Sequence, residues 1–541
     1  MGRSVANEGF LTALLHANPY DGYHFFLAGE GACAGLEAIL AERFPALHAK
    51  GAFVVATRHA LPEALAANSY HAFHLSDCIS DFASLVRLRN AVSQHVFPVT
   101  GTTHSLSYAR YSPHFFDQIW SGVTDRDAVI ATSRAGFEAV RAMYDALRAG
   151  YGLGEEWKTP RLERIPLGIS SGDFPTEAEK PLLAGPLRAS LGIEENCLVL
   201  LVFARISHYG KMDILPLLRA LVRAEGMGLA KERYVVVLAG WADTGSDAAN
   251  AYAELAARLG IRLHLVLSPD NARRKALFAA ADIFVSPVDN PQETFGLTIL
   301  EAGASGLPVV ASDFDGYRDL VVQGETGFLV PTLGPDATPE SDALAGVWFD
   351  NQHHLQLAQQ SVVDVPELAV AIAALASNPN MRRSMGEKAR CRVQETYGWS
   401  HVVAAHVTLW EQLASVPVEA PPARHPLHPG YPAVFGAYYS RLLDDALRRS
   451  LRVRWSRAGE AVYRGREFPV LYAGIERLVS LESLRKLLFT ARKPVSVAEL
   501  VPPRGANASA PDEHAAFLVL WALKHDYLER VREGDAPGGP A

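Results

Sequence analysis

The sequence has few cysteines and no long apolar stretch. The first feature argues against a disulfide-rich protein and the second against a transmembrane protein. Its four cysteines are far apart and none forms a CxxC pair, so we expect neither a disulfide framework nor a cysteine-based metal site. This cysteine usage is typical of proteins in a reducing compartment. No run approaches the roughly 18 continuous apolar residues of a membrane span, and MGRSVANEGFLTALLH at the start lacks the pattern of a secretory signal. We therefore expect a cytoplasmic protein without a transmembrane segment, while peripheral contact with the inner membrane face stays open.

The chain also lacks an excess of positive charge. Lys and Arg number 51 against 59 Asp and Glu, which gives a net charge of −8. A chain with a net negative charge is not a non-specific nucleic-acid-binding protein, and we expect no nucleic-acid partner. Hydrophobic residues make up 49% and charged residues 20%, an ordinary globular balance, and 541 residues exceed the about 250–300 that one core supports. We expect more than one domain.

Short apolar, β-branched runs alternate with helical patterns, which predicts βαβ units on parallel sheets. In the second series the strands hold Val, Leu, Ile and Phe with little polar alternation, so both faces should be covered by helices. This predicts an α/β fold of two Rossmann-like, doubly wound domains in tandem. The predicted strands are Tyr23–Leu27, Gly51–Thr57, His71–Leu75, Val96–Thr100 and Ala128–Ser133, then Leu198–Ala204, Tyr234–Ala239, Leu263–Leu267, Asp282–Ser286, Pro308–Ser312 and Gly327–Val330.

Composition shifts divide the chain into four predicted parts. Residues 1–185 form the first Rossmann-like domain, and residues 186–415 form the second. The last part of the first domain, from Arg164, is predicted to be a linker. Residues 416–433 are a Pro- and His-rich linker, and 434–541 form an appended, mainly helical module with a winged-helix-like pattern. Ligands of doubly wound sheets lie at the carboxyl ends of the strands, so we expect the site in the cleft between the two domains.

The appended module is basic and carries six arginines close together, in SRLLDDALRRSLRVRWSR. Apolar residues at helical spacing suggest one amphipathic helix, which could face the phosphates of a nucleic acid or an anionic membrane. The module as a whole could bind the acceptor or a partner protein. A solvated helix face is the more frequent explanation of such a run. The residues are Arg441, Arg448, Arg449, Arg452, Arg454 and Arg457.

The strongest chemical pattern is PQETFGLTILEAGASGLPVVAS at 291–312. Gly296 precedes a helix whose first residues, Leu297 and Thr298, offer free N–H groups and a positive dipole end, an arrangement suited to a diphosphate. Glu301 lies one turn inside this helix and could accept from a ribose hydroxyl, while Glu293 lies in the loop before it. A lone Glu in such a place is usually solvated or capping, but two that frame a glycine and a helix start favour a ligand site.

These motifs resemble the signature of the family 4 glycosyltransferases, in particular E-x(7)-E with FGL and LEAGASGLPVVAS. The resemblance spans most of 128–413, including ATS at 131–133 and ARIS before Lys211. It implies a GT-B fold and a retaining, hexosyltransferase-type enzyme (EC 2.4) that builds a polysaccharide or another glycoconjugate. The donor would be a nucleotide sugar, a UDP- or GDP-sugar, with no cofactor or metal, and the acceptor a glycan or a lipid-linked or other glycoconjugate.

Two cations follow the first strand of the second half. Arg205 comes directly after the strand LVLLVFA and Lys211 six residues later, which places them at the carboxyl end of a buried strand. The resemblance implies that both contact the donor diphosphate, whose charge grows as the sugar leaves. The alternative is a pair of surface charges, and Gly210-Lys211-Met212 departs from the family's usual Lys-Gly order.

Further roles are implied by the resemblance alone. Glu293 would hold hydroxyls of the transferred sugar, and His104, in VTGTTHSLSY, would lie near that sugar or the acceptor, although a lone His is often structural. The family's Gly-Gly-x-x-Glu is replaced by DFDGYRDLV, where Asp313, Asp315 and Tyr317 could shape the sugar pocket. The Asp-x-Asp at 125–127 is interpreted as a loop or cap.

Family members begin with a strand and a Gly-rich loop, but this chain opens almost at the loop, with GRSVANEGF. Either that strand is missing or the sheet edge is built in another way. Asn7 and Gly9 are candidates for a remnant of the loop.

Two other functions stay open. A GT-B relative could isomerise or hydrolyse a nucleotide sugar, or the chain could be a non-catalytic scaffold whose C-terminal module binds partners. The set of Arg205, Lys211, Glu293 and Glu301 favours the transferase over both.

Overall fold

The computed structural model describes residues 2–242, 247–348, 350–472, 474–475, 478–502 and 512–531. The chain divides into two compact units, one up to His428 and one from Pro429. Parts of the predicted module 434–541 lie outside the described residues. The larger unit holds both α/β halves.

The first half alternates helices and parallel strands. Its elements are α1 (Gly2–Ala17), β1 (Tyr23–Leu27), α2 (Glu30–Arg43), α3 (Pro45–Ala49), β2 (Phe53–Thr57), α4 (Leu61–Ala67), β3 (Phe73–Leu75), α5 (Phe82–Val92), β4 (Val99–Thr102), α6 (Ser112–Asp117), β5 (Ala128–Ala131), α7 (Arg134–Tyr151) and β6 (Arg161–Arg164).

The strands of this half form two parallel sheets in the described residues: β3-β4-β5-β6, and a separate pair, β1-β2. The register sets Val129 opposite Leu162 in the larger sheet and Tyr23 opposite Phe53 in the smaller one. β4 and β5 are buried throughout, whereas β6, with the sequence RLER, is an edge strand that the apolar pattern did not reveal.

The second half is built around one parallel sheet of order β12-β11-β10-β7-β8-β9 in the described residues. Nearly every residue of its central strands is buried, as expected for a sheet covered on both faces. Its elements are α8 (Lys180–Ser190), β7 (Leu198–Phe203), α9 (Leu215–Glu225), β8 (Tyr234–Gly240), α10 (Ala248–Leu259), β9 (Leu263–Leu267), α11 (Asn271–Ala280), β10 (Ile283–Ser286), α12 (Leu297–Ala304), β11 (Val309–Ser312), α13 (Tyr317–Leu320), β12 (Gly327–Val330), β13 (Thr332–Leu333), α14 (Pro339–Leu344), α15 (Asp350–Ala358), β14 (Val362–Val363), α16 (Val365–Ser377), α17 (Pro379–Thr396) and α18 (Trp399–Ser415).

Two helices lie where the sequence pattern did not predict them. The expected linker that starts at Arg164 becomes helical at Lys180, where α8 buries Leu187 and packs against α11. Helix α18 returns to the first half, packs against α1 and buries Leu409 and Leu413 with Ile130 of β5. The face of the first sheet needs an apolar cover, and α18 supplies it.

The second unit combines helices with a small antiparallel sheet of order β16-β15-β17 in the described residues. Its arginines do not form one helix, since the segment passes from helix to strand to helix, and Arg454 Nε donates to Glu529 Oε1 at 2.6 Å. The winged-helix-like interpretation stays a prediction. The elements are α19 (Tyr431–Phe435), α20 (Asp445–Ser450), β15 (Arg452–Trp455), α21 (Arg457–Tyr463), α22 (Leu481–Thr490), β16 (Val495–Ser496), α23 (Val497–Leu500), α24 (Glu513–Lys524) and β17 (Leu528–Arg530).

The predicted α/β fold class is confirmed: two halves built on parallel sheets are followed by a smaller, largely helical unit. Among the described helices, none combines the length and the apolar character needed to cross a bilayer.

A buried ion pair stabilises the larger sheet of the first half. The side chains of Arg89 and Asp127 are fully buried, and Arg89 Nη2 donates to Asp127 Oδ2 at 3.0 Å. Asp127 also accepts from the Thr124 backbone N–H at 2.8 Å, so the Asp-x-Asp at 125–127 contains a turn cap, as expected.

We predict that Arg89→Met lowers the free energy of unfolding by about 3–5 kcal/mol, because it leaves the Asp127 carboxylate buried without its cation. Urea unfolding followed by circular dichroism measures this loss. The control is Arg161→Met, which removes an exposed pair with Glu163 and should cost less than about 1 kcal/mol. Equal losses in the two variants would contradict the prediction.

Candidate active site

The predicted site residues of the second half meet at the carboxyl ends of β7 and β10. Arg205 follows β7 by two residues, and the loop that leaves β10 carries Glu293 to the start of α12. Parallel strands end at one edge of their sheet, so these segments, distant in sequence, become neighbours. The edge faces the first half, since Ser105 Oγ donates to the Gln292 carbonyl at 2.9 Å.

Lys211 and Glu293 form an ion pair in this cleft, with side chains only 16% and 11% exposed. Burial by itself would lower the pKa of Lys211, but the Glu293 carboxylate raises it above its ordinary value. Burial likewise opposes ionisation of Glu293, yet the Lys211 charge holds the pKa of Glu293 below its usual range. Both groups are therefore charged, and Phe295 N–H also donates to Glu293 at 3.4 Å.

A chain of hydrogen bonds crosses the cleft beside this pair. Arg205 Nη2 donates to Gln292 Oε1 at 3.3 Å, and Gln292 Nε2 lies 2.6 Å from His354 Nδ1. His354 Nε2 lies 2.9 Å from Ser107 Oγ of the first half. His354 is fully buried and belongs to α15. The network holds Arg205, which is itself exposed to the cleft, in one orientation.

Gly296 begins α12 with a backbone conformation that favours glycine, φ 110° and ψ 56°. A Cβ at this position would lie 2.4 Å from Cε1 of Tyr317, so side-chain bulk is excluded as well. Tyr317 is fully buried and its hydroxyl lies 2.8 Å from Ser286 Oγ, which fixes the ring beneath the glycine. The first N–H groups of α12, those of Leu297 and Thr298, lack partners within the helix.

Glu301 lies on α12 and is paired with Arg274 of α11. Burial raises the pKa of the Glu301 carboxyl, and the Arg274 charge opposes that rise. The other carboxylate oxygen, Oε2, is buried and has no hydrogen-bond partner among the described residues. Arg274 also lies over the ring of Phe174, 5.1 Å from its centroid, which fixes the guanidinium.

Several buried polar atoms near these segments have no hydrogen-bond partner among the described residues: Ser207 Oγ, Asn290 Nδ2, Glu301 Oε2 and Asp315 Oδ1. Buried polar atoms are nearly always paired in folded proteins, so each unpaired one needs a reason. A polar ligand that completes these bonds is such a reason.

Two buried carboxyl groups, one in the loop after β10 and one in the loop after β11, ionise with difficulty. Burial, and then the charge of Asp213, raises the pKa of Asp289 to about 8. Burial, and then the charge of Glu293, raises the pKa of Asp315 to about 8. Near neutral pH both are mainly protonated, so Asp315 adds little negative charge beside Glu293.

Three residues of the first half, His104, Asn7 and Gly9, were predicted as site residues, and the structure gives each of them a structural contact or a different position. His104 Nε2 bonds to the Ser76 carbonyl at 2.8 Å, and burial lowers the pKa of His104, so the ring is neutral. Asn7 and Gly9 lie on α1 and not in a loop, which corrects the expectation. A Cβ on Gly9 would lie 2.6 Å from the Trp399 ring, so this glycine permits the close approach of α1 to α18.

Gln292, His354, Ser107 and Arg274 were not predicted as site residues. Gln292 and Ser107 lie within the segments PQETFGL and VTGTTHSLSY but have polar side chains of a common type, and His354 and Arg274 stand in no motif. Gln292 is adjacent to Glu293 and could have been included for that reason. The others reach the cleft only because α15, the loop after β4 and α11 fold against it.

Asp117, His425 and His428 form a compact group outside the cleft, their ligand atoms within 4.8 Å of one another. His425 Nδ1 accepts from the Leu427 N–H at 3.0 Å, so its Nε2 carries the proton and donates to the Asp117 carbonyl at 2.8 Å. A nitrogen that donates cannot be a metal ligand. The group attaches the segment after α18 to α6.

We predict that Gly296→Ala lowers the free energy of unfolding by about 2 kcal/mol or more, because it combines an unfavourable φ with a clash against Tyr317. Thermal and urea unfolding measure the loss. Gly334→Ala is the control: no heavy atom lies within 4 Å of its added Cβ, and a change within about 0.5 kcal/mol is expected. If Gly296→Ala left the free energy of unfolding unchanged, residue 296 would have neither the positive φ nor the close contact with Tyr317 described above.

We also predict a pH-dependent effect of Asp289→Asn. The folded-state pKa of Asp289, about 8, exceeds that of an unfolded chain, so its contribution to stability is complete below about pH 4 and is lost as pH rises through 8. The variant should gain stability relative to wild type between pH 5 and pH 8.5. Unfolding midpoints of both proteins at those pH values measure it, and parallel profiles would contradict the assignment.

Comparison with known proteins agrees with this geometry. Residues 186–341, which contain Arg205, Lys211, Glu293 and α12, match the model of the family Glycosyl transferases group 1.

Among similar proteins is a D-inositol 3-phosphate glycosyltransferase of Kribbella flavida, 30% identical over 236 residues, which are 42% of this chain and 47% of that protein. Another, of Corynebacterium urealyticum, is 27% identical over 312 residues, 56% of this chain and 59% of that protein. The chain thus matches less than two thirds of these relatives' length.

Among solved structures, Anabaena HepE in complex with UDP has a TM-score of 0.49 at 18% identity, covering 73% of this chain and 100% of that one. A glycosyltransferase from Rickettsia africae has a TM-score of 0.49 at 15% identity, with coverage of 74% and 100%. The segment 186–341, with the cleft residues that it carries, is therefore similar to the group 1 glycosyl transferases.

Proposed function

We propose that this protein is a retaining glycosyltransferase that moves a hexosyl group from a nucleoside-diphosphate sugar to a glycan, lipid-linked or other glycoconjugate acceptor. The observation that carries the proposal is the convergence of two cations, a buried carboxylate and a helix start on one cleft. Arg205, Lys211, Glu293 and the amino end of α12 come from separate segments and meet there.

The donor diphosphate would bind to Arg205, to Lys211 and to the N–H groups of Leu297 and Thr298. Fixed cations and a helix amino end stabilise an anion without a metal ion, and this supports metal-independent transfer. The unpaired Oε2 of Glu301 is suited to accept a hydrogen bond from a ribose hydroxyl. Binding would draw Lys211 partly away from Glu293 and leave that carboxylate for the sugar.

In the proposed reaction the bond between the anomeric carbon and the phosphate oxygen breaks as the acceptor oxygen attacks from the same face. Because the new bond forms on the face from which the leaving group departs, the configuration is retained, and the acceptor proton goes to the departing phosphate oxygen. Arg205 and Lys211 stabilise the charge that grows on the diphosphate. Glu293 would hold sugar hydroxyls beside the developing oxocarbenium centre, and His104 would contact the sugar or acceptor through its neutral ring.

The relatives' name makes D-inositol 3-phosphate the first acceptor to test. UDP- and GDP-sugars are the proposed donors. The enzyme would act in the cytoplasm or at the inner membrane face, where its second unit could contact a partner protein or an anionic surface.

The test begins with thermal-shift measurements against UDP, GDP, ADP, TDP and CDP, with and without magnesium. A ligand at 100 times its Kd should stabilise the protein by about 2.7 kcal/mol. One nucleotide should raise the Tm of wild type, and Arg205→Ala should remove the shift. The control Arg219→Ala changes an exposed arginine on α9 of the same half and should keep it.

Turnover then separates the proposal from its alternatives. Release of the nucleoside diphosphate should depend on acceptor, and Lys211→Ala and Glu293→Gln should each slow it about 100-fold or more. Glu293→Gln should still bind the nucleotide. Rapid hydrolysis without acceptor would favour a nucleotide-sugar hydrolase, and no binding of any nucleotide would favour a scaffold.

A further inference from the structure

His354 lies outside the sheet of the second half, on α15 in the segment between β12 and α16. Its side chain is fully buried, and the first half supplies part of its surroundings. The Tyr108 ring meets the His354 ring edge-on, with the two centroids 4.8 Å apart. At the start of the helix, Asp350 Oδ2 lies 3.5 Å from Arg110 Nη1. Helix α15 therefore belongs to the second half and is attached to the first.

The direction of the hydrogen bonds around His354 follows from Arg205. A guanidinium group only donates, so Gln292 Oε1 is the acceptor of the bond from Arg205 Nη2 at 3.3 Å. The amide nitrogen of Gln292 then points the other way, and Nε2 donates to His354 Nδ1 at 2.6 Å. Because Nδ1 accepts, the proton of the neutral imidazole is on Nε2.

The second ring nitrogen is bonded to the first half. His354 Nε2 lies 2.9 Å from Ser107 Oγ and 3.2 Å from the Ser107 carbonyl oxygen, and both oxygens can accept its proton. Burial lowers the pKa of His354; the positive charge of Arg205 lowers it further, and Asp350 opposes the shift. The ring is therefore neutral near pH 7, and both of its nitrogens have a partner.

The Gln292 amide depends on His354 for its orientation. Oxygen and nitrogen occupy opposite sides of this amide, and the lone pair of His354 Nδ1 fixes the nitrogen on the side away from Arg205. Arg205 Nη2 is then held by Gln292 Oε1 and by the Gly210 carbonyl oxygen. A long side chain that is ordered before binding loses less entropy when a ligand arrives.

We propose that His354 is a positioning residue of the donor site: it orients the Gln292 amide, and that amide holds the Arg205 guanidinium toward the cleft in which the donor diphosphate binds. His354 contacts no substrate and acts through Gln292. This inference rests on the proposed function, because it takes a nucleoside diphosphate as the ligand of Arg205.

The experiment measures the Kd of UDP and GDP by isothermal titration calorimetry. His354→Leu should weaken binding about 3- to 10-fold, because Arg205 must then be ordered by the ligand. Gln292→Ala should have an effect of the same size, and it changes a half-buried loop residue instead of a core residue. In an Arg205→Ala background neither change should weaken binding further, since the residue through which both act is gone.

The chain offers a matched control and a conservative rescue. His353 is the neighbouring buried histidine on α15, and neither of its ring nitrogens has a hydrogen-bond partner among the described residues. His353→Leu should therefore leave the Kd within about twofold of wild type. His354→Asn should regain most of the affinity that His354→Leu loses, because its side-chain oxygen can accept from Gln292 near the position of Nδ1.

The outcomes separate this inference from the proposed function. If Arg205→Ala weakens binding and His354→Leu does not, the positioning role is overturned and the proposed function stands. Equal weakening by His354→Leu in the wild-type and Arg205→Ala backgrounds would also overturn the role, since His354 would then act through the fold in general. If the wild type binds neither nucleotide, the proposed function fails as well.

The tautomer of His354 can be tested without any nucleotide. Nitrogen NMR of histidine-labelled protein, with the His354 signals identified by their loss in His354→Leu, should show a neutral ring protonated at Nε2. A ring protonated at Nδ1 would overturn the inference, because Gln292 would then turn its oxygen to His354 and its nitrogen to Arg205, where two donors would face each other.

Discussion

The ion pair between Lys211 and Glu293 is the interaction on which the cleft depends. Two charges so deeply buried are stable only together, because removing either leaves the other without solvent or partner. The pair joins the segment after β7 to the loop after β10, and that loop contacts the first half through Ser105 and the Arg205–Gln292–His354–Ser107 network. A charged ligand can therefore bind to groups that are already in place.

The electrostatics around the pair follow from burial. Asp315 would add a negative charge beside Glu293, but its raised pKa keeps it mainly protonated near neutral pH. Arg274 balances Glu301 on the neighbouring helix. Arg205 is exposed to the cleft and has no carboxylate partner among the described residues, so its charge is available to an anionic ligand.

The first half depends on contacts between its two sheets. The smaller sheet, β1-β2, is attached to the larger one, β3-β4-β5-β6, by aromatic side chains and by α1 and α18. Gly9 permits the close approach of α1 to Trp399 of α18, and Arg3 joins α1 to Asp77, two residues after β3.

Local patterns in the sequence were sufficient to predict most of the parallel strands, the two α/β halves, and the residues of the second half that meet at the cleft. Buried parallel strands are continuous apolar runs, and a glycine before a helix start is local information. Tertiary structure alone decided that α18 covers the first sheet, that Asn7 and Gly9 are helical, and that His354 of α15 reaches Ser107. These features depend on contacts between residues far apart in the chain, and no periodicity or spacing within one segment encodes which distant surface that segment will meet.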